Sequence, residues 1–182
     1  MKKIPTLFVR DSVKPQRVTR EITPGCEWVL AGEGVPTRKW DGTACLVRGG
    51  KLYKRMDWDA AKGPAPAAWF HHDDDPNQRS GHGWYPVGDG PEDWMHRLSS
   101  LAGLANGTYE LCGPKIGKNP ESMESYALIA HGYLHIDGDP RDFDAIHRAL
   151  ESGNAEGIVW HHPDGRMAKI KRRDFGLRWP IK

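Results

Sequence analysis

The chain has 182 residues, 38% of them hydrophobic and 27% charged, and a formal net charge of +2. That composition excludes a disordered polyelectrolyte and suits one globular domain over residues 1–182, large enough to bury a core without metal or disulfide staples. No apolar run approaches a membrane span and the start, Met1-Lys2-Lys3-Ile4-Pro5, lacks a signal peptide's apolar stretch, so a cytoplasmic protein is expected.

In chain order, strands are predicted at Glu27–Ala31, Thr43–Val47 and Lys51–Arg55, the last two joined by the turn residues Arg48-Gly49-Gly50-Lys51. Residues 62–90 are rich in Gly, Pro, His and Asp and read as a long surface excursion. A helix is predicted from Pro91 to Ala105, with Trp94, Leu98, Leu101 and Ala105 on one face and Asn106-Gly107 as its end. Strands follow at Gly107–Leu111 and Tyr126–Ile136. A second helix spans Pro140 to Ser152, with Asp139 as its cap, Phe143, Ile146 and Leu150 inward, and Gly153 as its stop. Strands at Gly157–His161 and Arg166–Lys171 flank the turn Pro163-Asp164-Gly165-Arg166. Hairpin-joined strands with helices between groups predict an α+β fold with antiparallel sheets flanked by helices.

Charge is unevenly spread. Between Arg166 and Lys182 seven basic residues face one acid, Asp174, whereas the stretch from His71 to Asp93 is acidic, with Asp73, Asp74, Asp75, Asp89, Glu92 and Asp93. A basic tail points to a polyanion partner, although short basic runs are as often plain solvated surface. The three cysteines (Cys26, Cys45, Cys112) are scattered without a C-x-x-C, which argues against a disulfide framework or a structural zinc site.

The chemistry starts at Arg38-Lys39-Trp40-Asp41-Gly42-Thr43. By itself K-x-D-G is a short motif built on an ordinary turn dipeptide. Downstream, however, come Tyr53-Lys54-Arg55, Thr108-Tyr109-Glu110-Leu111, Glu156-Gly157-Ile158-Val159 and Lys169-Ile170-Lys171, in that order. With these the chain resembles the covalent nucleotidyltransferase superfamily of DNA ligases, RNA ligases and mRNA capping enzymes. Lys-Trp-Asp-Gly-Thr and Glu-Leu-Cys-Gly-Pro-Lys resemble most the small 5′-to-3′ RNA ligases of vertebrates and phages. The resemblance implies a nucleotidyltransferase (adenylation) domain, a lysyl-AMP on Lys39, ATP as co-substrate with Mg²⁺ or Mn²⁺, and RNA bearing 5′-phosphate and 3′-hydroxyl ends. It also implies roles for Glu110 at the ribose hydroxyls, Arg55 at phosphate or ribose, Glu156 at the metal, and Lys169 and Lys171 at the phosphates. With only the residues from Arg172 to Lys182 after Lys171, no OB-fold domain is expected.

The residue types suit that chemistry. A nucleophilic lysine must be neutral, although the free amine titrates at about 10.4, so its surroundings must favour the uncharged form. Lys169 and Lys171 share one side of a strand, where they can meet phosphoryl oxygens; on an edge strand they would equally guard against aggregation. Glu156 before a buried strand suits a hard cation, or an ordinary loop. Between Lys54 and Arg55 the guanidinium fork favours Arg55.

Other features are weighed against these. Gly113-Pro114-Lys115-Ile116-Gly117-Lys118-Asn119 is too short for a phosphate-binding P-loop and lacks its Ser/Thr, although Lys115 and Lys118, like Arg172 and Arg173, are candidate RNA contacts. His71-His72-Asp73-Asp74-Asp75 reads as solvated loop rather than a metal site. Trp28, Trp94 and Trp160 are expected in the core, and Trp69 and Trp84 as exposed stacking platforms. The purine-stacking aromatic of the family has no clear counterpart beyond Tyr126. A GTP-using capping-type guanylyltransferase and a non-catalytic nucleic-acid-binding module of the same fold therefore stay open.

Overall fold

The computed structural model describes residues 4–72 and 81–181. The chain runs through β1 (Phe8–Arg10), β2 (Val18–Ile22), α1 (Glu27–Leu30), β3 (Val35–Lys39), β4 (Thr43–Arg48), β5 (Lys51–Trp58), β6 (Phe70–His71) and β7 (Gly81–Pro86). It continues through α2 (Trp94–Arg97), β8 (Gly107–Cys112), β9 (Ala127–Ala130), α3 (Phe143–Ser152), β10 (Gly157–His161) and β11 (Met167–Lys171), with short 3-10 turns at Ala60–Lys62, Pro91–Asp93 and Arg172–Phe175. This is an α+β chain whose named strands pair antiparallel. No described helix is long and apolar enough to cross a membrane.

By contacts the chain divides into two compact units: a mid-chain unit, Asp41–His131, and a terminal unit formed by Ile4–Trp40 together with residues from Gly132 onward. The terminal unit holds the sheet β11-β10-β3 and the hairpin β1-β2. Strand alternation sends Ile158, Trp160, Ala168 and Ile170 to one side, where they pack with Leu7, Phe8, Trp28, Ile146 and Leu150. The other side of that sheet is left for Lys39, Lys169 and Lys171.

The mid-chain unit holds a six-stranded sheet in the order β6-β7-β5-β4-β8-β9. Cys45, Val47, Tyr109 and Leu111 make one core cluster and Ala44, Leu46 and Trp84 another, so β4 is buried on both faces.

Several expectations are corrected. Glu27–Leu30 is a helical turn, not a strand: Val29 N–H donates to the Cys26 carbonyl and Ala31 N–H to the Glu27 carbonyl (both 3.1 Å), local bonds that an extended strand cannot make. The helix expected to reach Ala105 ends at Arg97, and just beyond it the Ser99 hydroxyl donates to the His96 carbonyl (2.7 Å). Trp94 and Leu98 are consequently exposed rather than in the core. Asp142, not Asp139, caps α3, accepting from the Asp144 and Ala145 N–H groups. The strand expected to reach Ile136 stops at Ala130.

Part of the excursion, Phe70–His71 and Gly81–Pro86, is built into the sheet as β6 and β7. Trp69 and Trp84 are buried rather than exposed; the Trp69 indole N–H donates to the Met56 carbonyl (2.7 Å). Asp73, Asp74 and Asp75 lie outside the described residues, and His71 is buried. Cys26, Cys45 and Cys112 are buried with no disulfide.

Candidate active site

The last residue of β3 is Lys39. Across the sheet it lies opposite Gly157 of β10, which in turn lies opposite Lys171 of β11. A Cβ on Gly157 would run into the Ile170 carbonyl and the Lys171 backbone, so β11 approaches β10 as closely as it does only because this position is glycine. The preceding residue, Glu156, is 5% exposed. Its Oε2 accepts from the Lys39 ammonium and its Oε1 from the Lys171 ammonium, so one buried carboxylate bridges both lysines.

Lys169, two residues before Lys171, belongs to the same side of β11 and lies opposite Val159. Burial, reinforced by the nearby Lys171 and Lys39 ammoniums, depresses its pKa to about 8 against the opposing pull of Glu156 and Asp174. Three lysines against one bridging carboxylate leave excess positive charge in a half-buried place, the arrangement that polyphosphate relieves. Thr37, two residues before Lys39 on the same side of β3, is buried and donates its hydroxyl to the Val159 carbonyl (3.0 Å).

Among the described residues no group of three or more His, Cys, Asp or Glu could hold a metal ion. Glu156 therefore offers a single carboxylate, which fits Mg²⁺ held by substrate phosphates and water but not a cage-bound ion.

Glu110, Arg55, Lys115 and Lys118 lie in the mid-chain unit. Gly42 N–H donates to Glu110 Oε1 (3.0 Å), and a Cβ on Gly42 would strike the Leu111 carbonyl, so the glycine of K-x-D-G is demanded by its contact with β8. Glu110 Oε2 is bonded to His131 Nε2 at 2.9 Å. Sequence reasoning missed His131; its signal was a diagonal placement, since Glu110 faces Ile129 on β9 and His131 follows two residues later.

Arg55 is exposed and bonded to Asp57 (3.1 Å) and His82 (2.8 Å). Its neighbour Lys54 is ion-paired with buried Asp93. Lys115 and Lys118 are exposed, with the Lys115 ammonium 5.5 Å from the Trp94 ring.

Arg173 is exposed, but Arg172, expected at an RNA surface, is 5% exposed. Its guanidinium donates to the carbonyls of Leu150, Gly153 and Arg178 and so closes the C-terminal end of α3.

A family model described as RNA ligase 1 matches residues 86–182. That stretch contains Glu110, Lys115, Lys118, Glu156, Lys169, Lys171, Arg172 and Arg173, but neither Lys39 nor Arg55. Among curated proteins the chain is similar to RNA ligase 1 of Danio rerio (38% identical), of Pongo abelii (37%) and of Rattus norvegicus (33%). Each alignment covers 44% of this chain and 28% of the relative, so the matched stretch spans little more than a quarter of those proteins.

Proposed function

Because the chain belongs to the RNA ligase 1 family, we propose that it is a nucleotidyltransferase domain that joins RNA 5′-phosphate and 3′-hydroxyl ends at the expense of ATP. The observation that carries this reading is the bridging of Lys39 and Lys171 by one buried carboxylate, with Lys169 beside them.

For reaction the Lys39–Glu156 pair opens and Nζ gives its proton to water. The amine then attacks the α-phosphorus of ATP, forming an N–P bond as the P–O bond to pyrophosphate breaks. Lys169 and Lys171 neutralise the non-bridging oxygens as charge shifts to the leaving group. An oxygen of the RNA 5′-phosphate next attacks the lysyl-AMP phosphorus, which releases Lys39 and leaves an adenylylated 5′ end. The 3′-hydroxyl finally attacks that end, losing its proton, and AMP departs. Glu156 would hold Mg²⁺ or Mn²⁺, which supplies charge neutralisation to the triphosphate. Glu110 and Arg55 serve the ribose and phosphate ends of the nucleotide, with Lys115, Lys118 and Arg173 as RNA contacts.

Incubation with α-labelled ATP or GTP tests the central step. Covalent AMP is expected; covalent GMP makes the protein a capping-type guanylyltransferase, and no label makes it a binding module. Ends differing only in sugar test the substrate, with 3′-ribose sealed faster than deoxyribose; equal sealing of all-DNA ends overturns the RNA assignment.

A further inference from the structure

The side of the sheet that carries Lys39 does not end at β3. Arg38 N–H donates to the Leu134 carbonyl (2.7 Å), Ile136 N–H donates to the Pro36 carbonyl (3.0 Å), and Thr37 faces His135 in an antiparallel bridge. Tyr133 lies two residues before His135, in the segment that enters this bridge. Directly opposed residues of an antiparallel pair project to the same side. One row across the sheet is therefore Lys171, Gly157 and Lys39, and the next is Lys169, Val159, Thr37 and His135. Lysines occupy both rows, with the His135 imidazole at the end of the second and Tyr133 just before it in the chain. Tyr133 is 77% exposed and His135 is exposed as well.

We propose that Tyr133 is a stacking platform for a base of single-stranded RNA whose phosphates lie along the lysine rows. The assignment of the strand as RNA rests on the ligase reading above. A cationic track beside an exposed ring is the combination that holds single strands, since phosphates meet charge while each base offers a π-face. A mononucleotide needs a concave pocket that encloses most of its surface. A ring exposed to 77% covers only one face of a base and suits a strand anchored elsewhere by its phosphates. The source of the base is thus the RNA rather than ATP, and His135 stands beside it as a hydrogen-bonding neighbour.

The test is the anisotropy of a labelled single-stranded oligoribonucleotide, and of an abasic strand of equal length, on wild type, Tyr133→Ala and Tyr133→Phe. Tyr133→Ala should weaken the base-bearing strand roughly 5- to 100-fold while leaving the abasic strand within about twofold. Tyr133→Phe, which keeps the ring, should bind like wild type. Equal affinity of wild type and Tyr133→Ala for the base-bearing strand overturns the proposal, as does an equal loss on the abasic strand. A raised KM for ATP in covalent labelling, with RNA affinity unchanged, also overturns it by giving the ring to the mononucleotide. Binding needs no covalent step, so wild type that takes no label defeats the ligase reading and leaves this measurement to decide on its own.

Discussion

Both units bury a lysine against a carboxylate, and the two arrangements differ in stoichiometry. In the mid-chain unit the match is one to one. Asp93, 1% exposed, pairs with Lys54 through Oδ1 and takes the Gly88 N–H on Oδ2 (2.8 Å). Burial works to raise the Asp93 pKa, but Lys54, the Gly88 N–H and nearby His96 together hold it below the usual carboxylate value. In the terminal unit a single carboxylate bridges Lys39 and Lys171, with Lys169 as a third cation beside them. A balanced pair locks a fold, whereas an unbalanced cluster holds charge in reserve for a substrate.

Breaking the unbalanced cluster at Lys39, the proposed nucleophile, should have the largest effect. Lys39→Ala is expected to abolish covalent AMP, and Lys39→Arg equally so, because guanidinium stays protonated. Glu156 keeps Lys171 as a partner in either variant, so the melting temperature should hardly change. Label persisting on the Lys39→Ala protein sinks the mechanism.

Next comes the bridging carboxylate. Glu156→Ala should lower the rate of adenylation on the order of 100- to 1000-fold, by analogy with the loss of one electrostatic contact to a transition state. EDTA should stop the reaction of the wild type. Near-normal rates in Glu156→Ala with unchanged magnesium dependence would return this residue to a purely structural role.

The balanced pair should respond in the opposite way. Lys54→Met strands a buried carboxylate and should cost about 3 kcal/mol of stability in denaturant titration. Adenylation per folded molecule should stay near wild type, and Lys54→Met with Asp93→Leu should recover most of the lost stability. A large fall in adenylation without loss of stability would make Lys54 the functional cation of β5 and blur the contrast between the units.

The smallest effect concerns pH. Lys169 carries its charge below pH about 8 and loses it above. The profile of kcat/KM for ATP reports the free enzyme, so it should fall through a basic limb centred near pH 8. Lys169→Arg, which cannot be neutralised, should flatten that limb. Stability moves the other way: between pH about 8 and the ordinary 10.5 the unfolded chain binds the extra proton, so this residue's contribution to stability rises with pH.

For several elements with a clear local period, expectation and structure agree. Gly157–His161 is a strand with the expected bounds, β4 and β5 form the expected hairpin, and Phe143, Ile146 and Leu150 line one face of α3 as predicted. The end of α2 at Arg97 and the burial of Trp69 and Trp84 were illegible, because they depend on distant partners such as the Met56 carbonyl that no local pattern reveals, whereas the core places of Trp28 and Trp160 and the end of α3 at Ser152 were foreseen.

By itself the sequence determined which residues are able to do chemistry: the lysines, the glutamates and their order along the chain. It also determined that Lys169 and Lys171 share a side, since strand alternation is a property of the backbone. Only the tertiary structure decided which of them meet. Glu156 reaches Lys39 from 117 residues away, and Glu110 is bonded to His131 rather than standing alone. Arg172 is drawn inward by the carbonyls that α3 leaves unsatisfied at its end. His135 comes level with Thr37 through backbone hydrogen bonds from its neighbours to β3. Such pairings come from strand register and long-range burial, which balance free energies across the whole chain, and no short stretch of sequence contains that balance.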